Sequence, residues 1–168
     1  MLVNRSIRTP MAEFLAPLVS PLYDPDDEFG LMKAYEAAQL STHPSTQVGA
    51  WINGDSGWNR CVDNDPPSLD KEWAVIHAET DALLKSDYTY GGTLYAPWAC
   101  CLHCATDILA AGIQTVVVHF ERMLMTPRKW ETEVISGLRM LRRNEVFIRA
   151  VSTRFGMTIR VDGQEVEV

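Results

Sequence analysis

Two short stretches carry side chains whose types and spacing suit metal chemistry. Ile76-His77-Ala78-Glu79 places an imidazole and a carboxylate two residues apart, and Ala99-Cys100-Cys101-Leu102-His103-Cys104-Ala105 places two thiols at C-x-x-C spacing where an apolar stretch opens. His77, Cys101 and Cys104 are nitrogen and sulfur donors for a tetrahedral zinc ion, which leaves its fourth position open. Four protein ligands make a structural site, whereas three with water make a catalytic one. Glu79 is then placed to do chemistry beside the metal.

This assignment constrains the elements that carry the residues. In a regular helix residues i and i+2 point about 200° apart. His77 and Glu79 reach one ligand only if His77 stands at a helix entry and Glu79 in the first turn. Cys101 and Cys104 are i and i+3, so they share a face, and a helix N-terminus there stabilises thiolates through its unpaired N–H groups. The spacing predicts two helix starts converging on one ion. Taken alone, the C-x-x-C is equally a redox pair or half of a structural zinc knuckle. The His-x-Glu upstream, with a strand between, favours the catalytic reading. His103 reads as a helix-surface residue, and His43 and His119 as ordinary loop and strand residues.

Composition narrows the setting. The 168 residues suffice for one domain with a real core, and 46% of them are hydrophobic. No apolar run approaches the roughly 20 residues of a membrane span, and no signal-peptide core opens the chain, so a cytoplasmic protein is expected. Four Cys, three of them within five positions, fit metal ligation in a reducing compartment better than a disulfide framework. A net charge of −7 disfavours bulk attraction to nucleic-acid phosphate and favours small substrates.

Taken in order, residues 1–25 read as an extended arm with one helical turn, poised to pack on a neighbouring subunit. Asp24-Pro25-Asp26-Asp27-Glu28 starts a helix that runs to about Leu40. A polar loop from Ser41 leads into a strand through Val48 to Ile52. Asn53-Gly54-Asp55 signals a turn, and Trp58–Val62 is the expected returning strand. Asp63 to Leu69 reads as a loop toward Lys71, Trp73 and the His77 helix. A strand at Thr93–Ala96 delivers the chain to the thiols, and a helix from Cys101 to Ala111 stops at Gly112. Gln114–Phe120 reads as a central strand, Pro127–Leu141 as a helix and Glu145–Val151 as a strand. A hairpin turned by Asp162-Gly163 ends the chain. This alternation implies an α/β mixed sheet covered on both faces.

H-x-E followed by C-x-x-C is the signature of zinc deaminases acting on nucleobases, and the chain resembles that superfamily from about Leu31 to Val151. Ser41 to Ala50, Trp58-Asn59, His77-Ala78-Glu79 and Thr93-Leu94-Tyr95-Ala96-Pro97-Trp98 resemble deoxycytidylate deaminases in particular. Cys100 stands where the family usually has Pro. The segment Gly57-Trp58-Asn59-Arg60 also resembles tRNA adenosine deaminases, but the acidic charge and the absence of a basic C-terminal helix favour a nucleotide substrate. The resemblance implies the three-layer α/β/α cytidine-deaminase-like fold with a mixed five-stranded sheet plus a short C-terminal hairpin. It divides the chain into an arm (1–25), a zinc deaminase domain (26–152) and a hairpin extension of that domain (153–168).

For function the resemblance implies hydrolysis of a cytosine nucleotide, deoxycytidylate, to the uracil nucleotide and ammonia. His77, Cys101 and Cys104 would bind Zn2+, and Glu79 would shuttle protons. Asn59 would bond the base or sugar, the Ala99 carbonyl would accept from the exocyclic amine, and Ala78 and Trp98 would line the pocket. Arg60 and Lys71 are the candidate partners of the 5′-phosphate. Deaminases of this fold usually associate, so a homo-oligomer is expected, with no membrane partner. The alternatives are deamination of free cytosine, a nucleoside, guanine or tRNA adenosine, and a non-catalytic zinc-binding interaction module.

Overall fold

The sheet starts from a turn of only two residues. Asn53 and Gly54 both take positive φ, 49° and 99°, the pair of conformations that matches the twist of a tight hairpin. They join β1 (Gly49–Ile52) to β2 (Asp55–Trp58), with Ile52 opposite Asp55 and Gly49 opposite Trp58. The returning strand thus begins at Asp55 and ends at Trp58, earlier than expected, because so short a turn leaves Asp55 already in register. Arg60–Cys61 (β3) pairs instead with Val75–Ile76 (β4) in a separate ribbon. The computed structural model describes residues 9–19, 24–62 and 75–168, so the expected loop at Asp63 to Leu69, Lys71 and Trp73 lie outside the described residues.

Beside β1 run β5 (Thr93–Tyr95), β6 (Thr115–His119) and β7 (Phe147–Val151). β1 is antiparallel to both its neighbours, while β5, β6 and β7 are mutually parallel, which gives a mixed five-stranded sheet in the order β2-β1-β5-β6-β7. Every residue of β6 is buried, as its apolar β-branched run requires of a central strand.

Alternation along the strands sorts two helical layers. Ala50, Ile52, Leu94, Val116, Val118, Ile148 and Ala150 face one core. That core includes Ala78 and Ala82 of α3 (Ala78–Lys85), Cys104 and Ile108 of α4 (Leu102–Ala110), and Leu138 and Leu141 of α6 (Arg128–Arg143). The intervening side chains Tyr95 and Val117 point the other way and meet Leu31 of α2 (Pro25–Ala38). α2 starts as its sequence dictates: the Asp24 side chain accepts from the Asp26 N–H at 2.9 Å, Pro25 opens the helix, and acids fill its first turn.

Two regions differ from expectation. The arm contains a helix, α1 (Pro10–Leu15), capped by Thr9, and its Met11 and Leu15 are buried in the main core. A two-residue apolar stripe this deeply covered holds the arm on its own chain. A short helix, α5 (Phe120–Leu124), follows β6 directly, where the strand pattern gave no sign of one. The expected hairpin is present as β8 (Thr158–Val161) and β9 (Gln164–Glu167), turned by Asp162-Gly163 with φ of 48° and 78°.

Candidate active site

His77 and Cys101 each stand at the residue before a helix. His77 is the N-cap of α3 and Glu79 lies in its first turn, while Cys101 is the N-cap of α4, its sulfur accepting from the Cys104 N–H at 3.4 Å. The converging helix starts bring His77 Nδ1 to 3.5 Å from Cys101 Sγ and 3.3 Å from Cys104 Sγ. All three donor atoms lie within 4.8 Å of one another. Ligands bonded to zinc at roughly 2.0–2.3 Å in tetrahedral geometry are themselves about 3.5 Å apart, and two thiols with an imidazole match the ion's preferences. The residues fit zinc.

Their electrostatics fit it too. The Cys101 thiol is lowered to about 3, first by its hydrogen bond with Cys104 and then, against burial, by His77. His77 is raised to about 9, first by its hydrogen bond to Cys101. The Cys104 thiol moves up, first through the bond with Cys101 and then by burial. Three donors that hold each other's protons this closely offer a cation a site in exchange for those protons.

Glu79 is 4% exposed, and burial pushes its carboxyl above the usual carboxylate range while His77 pulls it down. Behind it, the Thr80 hydroxyl donates to Asp107 at 2.6 Å and lies 3.9 Å from Cys104 Sγ, tying α3 to α4 at the metal donors. Close approaches fix both helices further. A Cβ on Gly57 would meet the Ala78 carbonyl oxygen at 2.3 Å, and one on Gly137 of α6 would meet the Cys100 carbonyl oxygen at 2.3 Å. Only glycine lets β2 lie against α3 and α6 lie against the thiol turn.

These groups open into a cavity of about 630 Å³ that holds Ala78, Glu79, Trp98, Ala99 and Asn59 in one wall system. Asn59 is buried, its amide donating to Thr46 O at 2.8 Å and its carbonyl accepting from Val48 N–H at 2.8 Å. Trp98 is set by α5 and the turn after it. Its indole N–H donates to Thr126 Oγ1 at 2.8 Å, and the buried Arg122 guanidinium lies 4.5 Å from its ring centroid. Cys100 is buried in the cavity floor, its thiol raised by burial.

Arg60 stands elsewhere. Its Nε donates to Asp81 at 3.0 Å, and it is absent from the described cavity wall. Asp81 is itself buried and also accepts from Lys85 Nζ at 2.6 Å and from the Trp58 N–H at 3.2 Å. Burial resists its ionisation, yet Lys85, the Trp58 N–H and Arg60 together hold its carboxyl below the usual value. Lys71 lies outside the described residues.

Other cavity residues escape a reading of motifs. His43, expected as an ordinary loop residue, lines the wall, and its Nδ1 accepts from the Ser45 and Thr46 N–H groups. Lys129, Trp130 and Glu133 enter from the first turns of α6, and Asp162 enters from the C-terminal hairpin. Only the helix periodicity of α6 hinted that it covers the site. His103 touches the cavity from the exposed side of α4, and His119 is buried at the end of β6, bonded to Thr153 O at 3.0 Å.

Comparison with known proteins agrees with this geometry. The fold is similar to that of dCMP deaminase from the cyanophage S-TIM5. Its apo form superimposes with a TM-score of 0.57 at 22% identity, over 78% of this chain and all of that one. The same enzyme in complex with dCMP and dUMP gives 0.54 at 22% identity, over 79% of this chain and all of that one. No curated protein sequence matches the chain. The model of the cytidine and deoxycytidylate deaminase zinc-binding region matches residues 24–120, which hold His77, Glu79, Cys101 and Cys104. With more than half its length matched and the metal donors converged, the chain belongs to the cytidine and deoxycytidylate deaminase family.

Proposed function

We propose that the protein is a zinc-dependent hydrolytic deaminase that converts deoxycytidylate to the uracil nucleotide and ammonia. The observation that carries this reading is the convergence of His77, Cys101 and Cys104 with a buried carboxylate, Glu79, on one cavity large enough for a mononucleotide. His77, Cys101 and Cys104 would hold zinc, which when bound supplies an activated water by lowering its pKa from about 15.7 toward about 7.

The protein's own groups manage the protons. Glu79 accepts a proton from the attacking water and delivers it to ring N3 as the water oxygen bonds to C4. Glu79, ionised again, takes the proton of the new C4 hydroxyl and passes it to the amine as the C4–N bond breaks, so that the carbonyl forms and ammonia leaves. Burial favours the protonated form of Glu79, which supports its holding a proton between taking it and giving it. Ala99 offers its carbonyl to the exocyclic amine, Ala78 and Trp98 bound the ring, and Asn59 braces the sugar side.

Arg60, engaged by Asp81, leaves the phosphate to another cation. Lys129, exposed on the cavity wall at the first turn of α6, takes that role in this reading. Ammonia release from deoxycytidylate and deoxycytidine, compared for the unaltered protein and Lys129→Ala, tests it. The expected result is a preference for the nucleotide and a KM for it raised about 10-fold in the variant, the nucleoside unaffected. Equal effects on both substrates would discard the phosphate role of Lys129, and a preference for the nucleoside would discard the nucleotide reading.

A further inference from the structure

The family match ends at residue 120, but the cavity wall continues beyond it. The β8–β9 hairpin folds back onto residues 43–47. The Gln47 N–H donates to Arg160 O at 2.8 Å, and the Arg160 N–H donates to the Gln47 side-chain oxygen at 2.9 Å. The Arg160 guanidinium reaches His43 O at 3.1 Å, the Gly163 N–H reaches Ser45 O at 2.7 Å, and the Asp162 N–H reaches Thr46 Oγ1 at 3.2 Å. Beneath, Ile159 and Val161 pack with Tyr35 and Ala38 of α2. The hairpin is therefore anchored in a core, and its turn is a fixed part of the wall.

Thr46 couples two cavity residues. Its carbonyl accepts from the Asn59 amide and its hydroxyl accepts from the Asp162 N–H, so Asn59 and Asp162 stand on one wall with a single residue between them. The Asn59 amide is already bonded at both ends. Asp162 lines the cavity, held there through its main chain and with an exposed side chain, which makes its carboxylate a candidate acceptor on this wall.

We propose that Asp162 is a specificity-determining residue that accepts a hydrogen bond from the 3′-hydroxyl of the substrate's sugar. This rests on the cytosine-nucleotide reading above. The reacting ring carbon must face His77, Cys101 and Cys104, so the sugar on the far side of the ring turns toward the polar wall of Thr46, Asn59 and Asp162. An ionised carboxylate only accepts. It rewards a hydroxyl donor, repels a phosphate placed at the same spot, and gains nothing from a sugar that lacks the hydroxyl.

The test compares kcat/KM for deoxycytidylate and 2′,3′-dideoxycytidylate in the unaltered protein, Asp162→Gly and Asp162→Asn. Glycine adopts the positive φ of this turn freely and asparagine tolerates it, so melting temperatures should match. Removing the 3′-hydroxyl should cost the unaltered protein about 10–100-fold. Asp162→Gly should cost about as much on deoxycytidylate and little more on the dideoxy substrate, with Asp162→Asn between, because the two losses remove one contact. Fully additive losses, or undiminished turnover of deoxycytidylate in Asp162→Gly, overturn the role of Asp162 and leave the deaminase reading standing. Absence of ammonia release from either substrate in the unaltered protein overturns that reading and this inference together.

Discussion

At the scale of single residues, the burial of Glu79, the proton shuttle proposed above, makes the stability of the metal-free protein depend on pH. Burial raises this carboxyl above the ordinary glutamate value of about 4.3 in the metal-free protein. The same shift acts on stability with a definite sign. The folded protein binds the Glu79 proton more tightly than the unfolded chain does. Its contribution to stability is therefore full below the unfolded value and declines as pH rises through the raised one. Glu79→Gln should raise the melting temperature of zinc-free protein at pH 8 and change it little at pH 4. A melting temperature lowered equally at both would show that the carboxylate is not held against its desolvation.

At the scale of elements, the site depends on how closely α3, α4 and α6 approach their neighbours. Gly137→Ala would put a methyl group at 2.3 Å from the Cys100 carbonyl oxygen, displacing the turn that carries Cys101. Chelator competition should show zinc binding weakened about 10–100-fold, and the cobalt-substituted protein should show altered d–d bands. Unchanged affinity and spectrum would mean that the turn yields without moving its ligands. On the other side of α3, Asp81 ties the β2–β3 segment to the helix through the Trp58 N–H, Arg60 and Lys85. Its lowered carboxyl contributes stability above the unfolded value, lost as pH falls through the folded one. Urea unfolding of Asp81→Asn should show a loss of about 1–3 kcal/mol at pH 7 that closes below about pH 3.9. A loss independent of pH would assign the effect to packing.

At the scale of the whole molecule, what the sequence revealed was local and what it hid was distant. The convergence of His77, Cys101 and Cys104 was legible because a helix entry restricts where His77 and Glu79 can stand, and because three residues bring Cys104 one turn beyond Cys101. The central strand at Thr115–His119 was legible because its residues are β-branched and buried on both sides. The Asp81 carboxylate that engages Arg60 across the α3 interface was hidden, because proximity in sequence to Asn59 says nothing of it. Lys129 and Asp162 were invisible as cavity residues because α6 and the C-terminal hairpin reach the cavity only through long-range packing. The one helical turn expected in the arm is a six-residue helix opened by Pro10, and its hold on the core through Met11 and Leu15 is the part the sequence did not reveal. All these elements serve one claim, that a bound metal and Glu79 together hydrolyse a cytosine nucleotide. The measurement that tests it most directly is ammonia release from deoxycytidylate by zinc-loaded protein, by the chelated protein and by Glu79→Gln. The account predicts release that is lost on chelation and reduced about 10²–10⁴-fold in a variant that still binds zinc. Release that survives chelation, or that Glu79→Gln sustains at the unaltered rate, would contradict it.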